Sequence, residues 1–345
     1  MSTNDFSARV PKQPLHPSII SKLDPEYVAL HENVLQYLPM LCTLPWDPVT
    51  MRKPLPMQGE RKPLDVGKIE DFELKKGGYG RMMRAYTPFG EPPRNGWPVL
   101  VYFHGGGWTL GGLHNEQSII TNLCVGAKCI VISVDYRLAP EHKFPAAIDD
   151  AVEALQWVLT DGKDLLNIDT SKIATGGASS GANIAAVLAL KAVEESFAPP
   201  LPAPMALQLL ITPSVDQTAT DAPGGRWESN KYAPYLPPAM VNWTKAMYFK
   251  TEDDWSRWEA SPLLAPQELL EKAPKTWIAA QEMDLLCNEC EAYAERLREC
   301  GVDAECVIYK GGMHLHFLFD GVLKNGQKGI ADAVDALAKA FQTVQ

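Results

Sequence analysis

The sequence predicts an α/β fold with a mostly parallel central sheet and helices on both faces. Three observations carry that prediction. Continuous apolar runs of strand length recur at Trp97–Phe103, 129–134 and 206–212, and a run without polar alternation is a strand buried on both faces. Helical periodicity separates these runs, at 115–125 and Ala146–Leu159, and strand–helix alternation builds a parallel sheet covered on both sides. Third, Gly177-Ala178-Ser179-Ser180-Gly181 follows a short apolar strand, 171–174, and precedes an Ala- and Leu-rich helix, 184–193. A G-x-S-x-G in that setting is a sharp strand–turn–helix connection. It holds the serine in strained backbone and points the free amides of the helix at its oxygen.

Taken in order, residues 1 to about 60 are rich in proline and contain one amphipathic stretch, 25–38. Tyr27, Leu30, Val34, Leu35 and Leu38 fall at helical spacing, and Pro39 ends it. A helix with one apolar face has to bury that face, so this segment is expected to lie as a cap on the body, residues 61–345. Residues 66–73 and Arg81–Thr87 alternate like a hairpin turning at Gly77-Gly78. The buried strand Trp97–Phe103 runs into His104-Gly105-Gly106-Gly107-Trp108. Three glycines there leave backbone amides uncovered, which suits holding an oxyanion. After 206–212 the rhythm breaks. Residues 216–261 are loop-rich and carry Trp227, Tyr232, Tyr235, Trp243, Tyr248, Trp255 and Trp258, with a helix expected at 238–250. Aromatic density in an insertion between two strands suggests a lid facing substrate. The alternation resumes with a strand at 276–280, a helix at 289–300, the strand Ala304–Tyr309 and a closing helix at 328–341.

Composition narrows the function. The chain has 345 residues, 46% hydrophobic content and a net charge of −10. There is no Lys/Arg block, which argues against a nucleic-acid partner. Met1-Ser2-Thr3-Asn4-Asp5-Phe6 is neither basic nor apolar, unlike a secretory signal, and no apolar run reaches the roughly 18 residues of a membrane span. A cytoplasmic location is the expectation. The seven scattered cysteines read as reduced thiols. Cys287-x-x-Cys290 falls in a helical segment with no second pair nearby, so neither a metal nor another cofactor is expected.

A serine alcohol needs a base within hydrogen-bond reach, and the base needs an acid to orient it. In an α/β-hydrolase arrangement the chain order is Ser, then Asp or Glu, then His. His16, His31, His104, His114 and His142 all precede Ser179, and only His314 and His316 follow it. Both lie just after the strand Ala304–Tyr309. The acid belongs after the preceding strand, where Asp284 stands, with Glu282 as its rival.

These segments resemble the hormone-sensitive-lipase-like carboxylesterases of the α/β-hydrolase fold. The likeness rests on His104-Gly105-Gly106-Gly107-Trp108, on Asp135-Tyr136-Arg137-Leu138-Ala139-Pro140-Glu141-His142 and on Gly177-Ala178-Ser179-Ser180-Gly181-Ala182-Asn183, and it runs from about residue 97 to the C-terminus. The family's acid motif, D-P-L-x-D-E, is matched at Asp284, Leu286 and Glu289. Its base motif, Y-x-G-x-x-H-G-F, fits Tyr309 to His314 and then fails at Leu315-His316-Phe317, which leaves His316 open as the alternative base. Ala178 and Ala182 replace the usual Asp and Gly around the serine. The resemblance implies oxyanion amides from Gly106, Gly107 and Ser180, an N-terminal cap, and a small-molecule ester as substrate. With Trp108 and the aromatic insertion it implies a mostly apolar ester. The same triad could serve an acyltransferase or a carbon–carbon bond enzyme of secondary metabolism. A ligand receptor on this fold, as in the plant gibberellin receptors, lacks the base histidine, whereas this chain has one in the expected loop. The oligomeric state stays open, a homodimer included.

Overall fold

The computed structural model describes residues 10–53, 59–74 and 80–343. Its eight strands form one sheet in the order β1-β2-β4-β3-β5-β6-β7-β8. They are β1 (Lys68–Leu74), β2 (Arg81–Thr87), β3 (Trp97–Phe103), β4 (Ile130–Val134), β5 (Ile168–Ala178), β6 (Leu207–Ile211), β7 (Thr276–Gln281) and β8 (Ala304–Tyr309). β1 and β2 run antiparallel to their neighbours, and every pair from β4 to β8 is parallel. The Gly77-Gly78 turn expected between β1 and β2 lies outside the described residues.

The helices are α1 (Pro17–Ile20), α2 (Pro25–Asn33), α3 (Pro48–Met51), α4 (Gln117–Ala127), α5 (Ala146–Leu159), α6 (Asp161–Leu165), α7 (Ser180–Lys191), α8 (Pro238–Tyr248), α9 (Gln267–Leu270), α10 (Cys287–Glu299) and α11 (Lys324–Phe341). Alternate side chains of β3 enter different cores. Val99, Val101 and Phe103 pack with α5, α7 and α10, whereas Leu100 and Tyr102 pack with α4 and α11. That is the period-two geometry of a strand buried on both faces.

Four elements differ from the sequence expectation. β5 runs on through Thr175, Gly176 and Gly177, which carry no apolar side chain but pair with both β3 and β6. α7 begins directly at Ser180 and α11 four residues early, at Lys324. The expected helix 25–38 stops at Asn33, because Val34 leaves helical geometry (φ −134°, ψ −61°), and a 3₁₀ turn follows at Leu35–Tyr37. Of the segment's expected apolar face Tyr27 is buried, Leu30 and Leu35 pack partly against the same cluster, and Leu38 is exposed; upstream, Ile19 and Leu23 join Tyr27 against Met283, Met313, Phe319 and Leu323.

The aromatic insertion also departs from expectation. Trp227 and Tyr248 are buried. Tyr248 stacks on Trp108 with centroids 4.7 Å apart, and Trp255 covers the Lys245 ammonium. Of the seven aromatics named above, Tyr235 is the one that lines the cavity beside Ser179. The others pack elsewhere: Tyr232 stacks on His16, Trp243 meets Trp46, and Trp258 lies under the Lys191 ammonium.

A buried ionic knot fixes one edge of the sheet. Asp150 on α5 is fully buried between Arg81 of β2 and Arg137, whose Nη2 lies 2.7 Å from its carboxylate. Removing one member of such a cluster strands charge in the interior. Asp150→Ala is expected to lower stability by about 3–5 kcal/mol, read as an earlier urea midpoint with unchanged slope.

Candidate active site

The serine turn is built from backbone crowding. Ser179 has φ 54° and ψ −120°, a strained conformation for a residue with a side chain, and its amide donates to Ile211 O at 2.8 Å. A Cβ on Gly181 would lie 2.0 Å from Phe103 O, and one on Gly177 2.4 Å from the same oxygen. Both positions therefore require glycine, and α7 starts pressed against β3 with Ser179 at its N-terminal end. Ala182 is fully buried and accommodated.

The loop after β8 brings His314 over the serine. His314 Nε2 is 2.8 Å from Ser179 Oγ, and His314 Nδ1 is 2.8 Å from Asp284 Oδ2. An ionised Asp284 accepts only, so the proton sits on Nδ1 and Nε2 is left to accept from the hydroxyl. Asp284 is buried in the turn after β7, and its other oxygen accepts from Leu286 N at 3.2 Å. Asn230 of the insertion holds this turn from outside, donating to the carbonyls of Glu282 and Asp284 at 3.0 and 2.7 Å.

The structure places the two alternatives elsewhere. His316 is fully buried but faces Asp24, with Nε2 3.4 Å from Oδ2, and its ring tilts against Tyr27. Burial holds its pKa below the usual histidine value, although the Asp24 carboxylate pulls the other way. Glu282 points outward to Lys310 Nζ at 2.7 Å and Gly311 N at 2.8 Å.

Gly106 and Gly107 have φ of 127° and 61°, and a Cβ on Gly106 would lie 2.2 Å from Leu110 O. Among the described residues no group accepts a hydrogen bond from the amides of Gly106, Gly107 or Ser180. All three residues line the same cavity as Ser179 and His314. Trp108 lines it too, but with 2% of its surface exposed it serves more as a wall packed on Tyr248 than as a free face.

The cavity holds about 230 Å³. Its insertion side is mostly apolar, with Tyr235, Leu236, Met240 and Val241 beside Thr244. Residues the sequence reading did not single out also reach it. Arg52, at the end of α3, donates to Thr109 O and Ala139 O at 2.9 and 2.7 Å and pairs with Glu141 at 2.6 Å, so the N-terminal segment is pinned beside the glycine loop. Glu116, just before α4, is a buried carboxyl whose pKa burial pushes up to about 7. A lone acidic residue before a helix carries no distinguishing sequence signal.

All seven cysteines are free, and Cys287 and Cys290 are buried on α10 with their thiol pKa values raised by burial. Among the described residues no His, Cys, Asp or Glu group is arranged to hold a metal ion, and no helix is long and apolar enough to cross a membrane.

Comparison with known proteins agrees with this fold. A protein-family profile described as the alpha/beta hydrolase fold matches residues 100–318. An AB hydrolase superfamily protein of Schizosaccharomyces pombe is 40% identical over 334 residues, 95% of this chain and 97% of the relative. The carboxylesterase NlhH of Mycobacterium tuberculosis is 40% identical over 260 residues, covering 75% of this chain and 78% of that one. Among solved structures, the hyperthermophilic esterase of Pyrobaculum calidifontis superimposes with a TM-score of 0.79 at 30% identity, over 92% of this chain and 98% of that one. From its fold and these relatives, the chain belongs to the hormone-sensitive-lipase-like carboxylesterase family of α/β hydrolases and is a carboxylic ester hydrolase.

Proposed function

We propose that this hydrolase cleaves small to medium, mostly apolar carboxylic esters with Ser179 as nucleophile, His314 as general base and Asp284 as the orienting acid. The observation that carries the reading is the unbroken chain of two 2.8 Å contacts from Asp284 through His314 to Ser179 Oγ. Ser179 Oγ attacks the acyl carbon while its proton passes to His314 Nε2. Asp284 keeps Nδ1 protonated and stabilises the imidazolium that forms. The amides of Gly106, Gly107 and Ser180 receive the developing oxyanion. His314 then protonates the departing alcohol, and water activated by the same imidazole opens the acyl-enzyme. No step requires a metal or an organic cofactor.

The substrate class follows from the cavity. Its volume lies below the roughly 300–1,000 Å³ of pockets for drug-sized ligands, and its insertion wall is mostly apolar. The free thiols are consistent with a reducing, intracellular compartment. The test is a p-nitrophenyl ester series from acetyl to dodecanoyl. Turnover should peak among short acyl chains and fall by at least about tenfold at dodecanoyl, since a poorly fitting apolar chain costs roughly 1–3 kcal/mol per unplaced methylene. A flat profile across the series would refute the size assignment. No turnover of any ester would refute the reaction.

A further inference from the structure

Two adjacent glycines in positive-φ conformations have no side chains to lock them, so something outside the pair has to fix the direction of their amides. Within the loop, His104 Nδ1 bonds Gly105 O at 2.7 Å, and Thr109 N and Leu110 N donate to Gly106 O at 3.2 and 2.9 Å. Two further braces reach in from other elements. Tyr136 Oη donates to His104 O at 2.8 Å, and Gly105 N donates to Glu116 Oε1 at 2.8 Å. Glu116 is itself fixed, because its Oε2 accepts from Tyr102 Oη at 2.7 Å. Its backbone is left-handed, with φ 59°, and its side chain sits at 5% exposure. A Cβ on Gly105 would meet Glu116 Oε1 at 3.0 Å, Ala178 O at 3.2 Å and Ser179 Cβ at 3.4 Å. Gly105 is thus wedged between this carboxyl and the serine turn.

Burying a carboxyl and holding its backbone left-handed both cost free energy, and the proton-transfer chain uses neither. We propose that Glu116 is the positioning residue of the oxyanion loop: its buried carboxyl fixes the Gly105 amide, and through that peptide aims the Gly106 and Gly107 amides at the oxyanion. The inference rests on the assignment of Ser179, Gly106 and Gly107 made above. Glu116 acts through the loop and does not touch the reacting atoms. It therefore differs from a residue that merely supports the fold in one measurable respect, since its loss weakens tetrahedral adducts more than it weakens substrate binding.

The experiment compares wild type with Glu116→Ala, Glu116→Gln and Tyr102→Phe. The readouts are thermal unfolding, kcat and KM, fluorophosphonate labelling of Ser179, and inhibition by an alkyl trifluoromethyl ketone. The ketone carbonyl carbon bonds reversibly to Ser179 Oγ, its oxygen becomes the oxyanion, and the hydroxyl proton passes to the histidine. Glu116→Ala should lower kcat by about 100-fold, the size of losing one oxyanion donor, with KM within about threefold and ketone affinity falling in parallel with kcat/KM. Glu116→Gln should stay within about fivefold of wild type, because its amide oxygen still accepts from Gly105 N. Tyr102→Phe should fall in between.

A Glu116→Ala enzyme with wild-type kcat, or one with low kcat but unchanged ketone affinity, overturns the proposal. So does a Glu116→Gln enzyme as slow as the alanine variant. If Glu116→Ala fails to fold, the other two variants decide: a Tyr102→Phe enzyme with unchanged ketone affinity also overturns it. Absence of Ser179 labelling in the wild type would instead remove the serine mechanism, a separate failure.

Discussion

Ser179→Ala is expected to lower kcat on p-nitrophenyl butyrate by about 10⁶-fold while KM moves by no more than about threefold. In the proposed mechanism the hydroxyl is the bond-forming atom, so nothing else in the cavity can replace it. Alanine keeps the strained turn, because the Cβ is already accommodated and only Oγ is lost. The variant should unfold at the wild-type temperature, since Oγ's hydrogen bond to His314 is a small part of the stability. Residual turnover near the wild-type rate, or a second residue that still forms an acyl-enzyme, would assign the chemistry elsewhere. Mass spectrometry of the trapped acyl-enzyme distinguishes these cases by the residue that carries the acyl mass.

The second large effect separates two histidines in one loop. His314→Ala should cost about 10⁴–10⁶-fold in kcat, and adding Ser179→Ala should cost little more, because members of a triad act as one unit. His316→Ala should keep kcat within about tenfold and show its effect mainly in stability, by leaving a cavity beside Tyr27 and Asp24. If His316→Ala were the inactive variant and His314→Ala the active one, the proton-transfer chain drawn from the 2.8 Å contacts would be wrong.

The legible parts of the fold are those whose residues are apolar for a single reason. β3, β8 and α5 have the limits that their hydrophobic pattern suggests, and β3 is buried at every position. β5 was longer than its pattern because Gly176 and Gly177 leave room for backbone, and a strand made of glycine has no hydrophobic signature. In the site, chain order alone reduced seven histidines to two. The base motif selects His314 and leaves His316 open, because what occupies His316 is Asp24, a partner far away in the chain. Glu116 was invisible for a related reason. Its part in the loop depends on a left-handed backbone and on Tyr102, which contribute no pattern of their own. The aromatic insertion does reach the cavity, through Tyr235, Leu236, Met240 and Val241, but most of its aromatics pack elsewhere: aromatic content reports burial, and burial against the body looks the same in sequence as burial against a ligand.

The N-terminal segment and the loop that carries His314 are physically joined. Asp24 N donates to Gly311 O at 3.0 Å, Asp24 faces His316, Glu26 pairs with Lys324 at 2.8 Å, and Tyr27 shares a core with Met313. An engineer who shortens the N-terminus to admit bulkier esters would therefore also loosen the mounting of the imidazole, and would trade turnover for access. Carving space from the opposite wall, at Met240 or Val241, enlarges the same chamber while leaving that mounting alone.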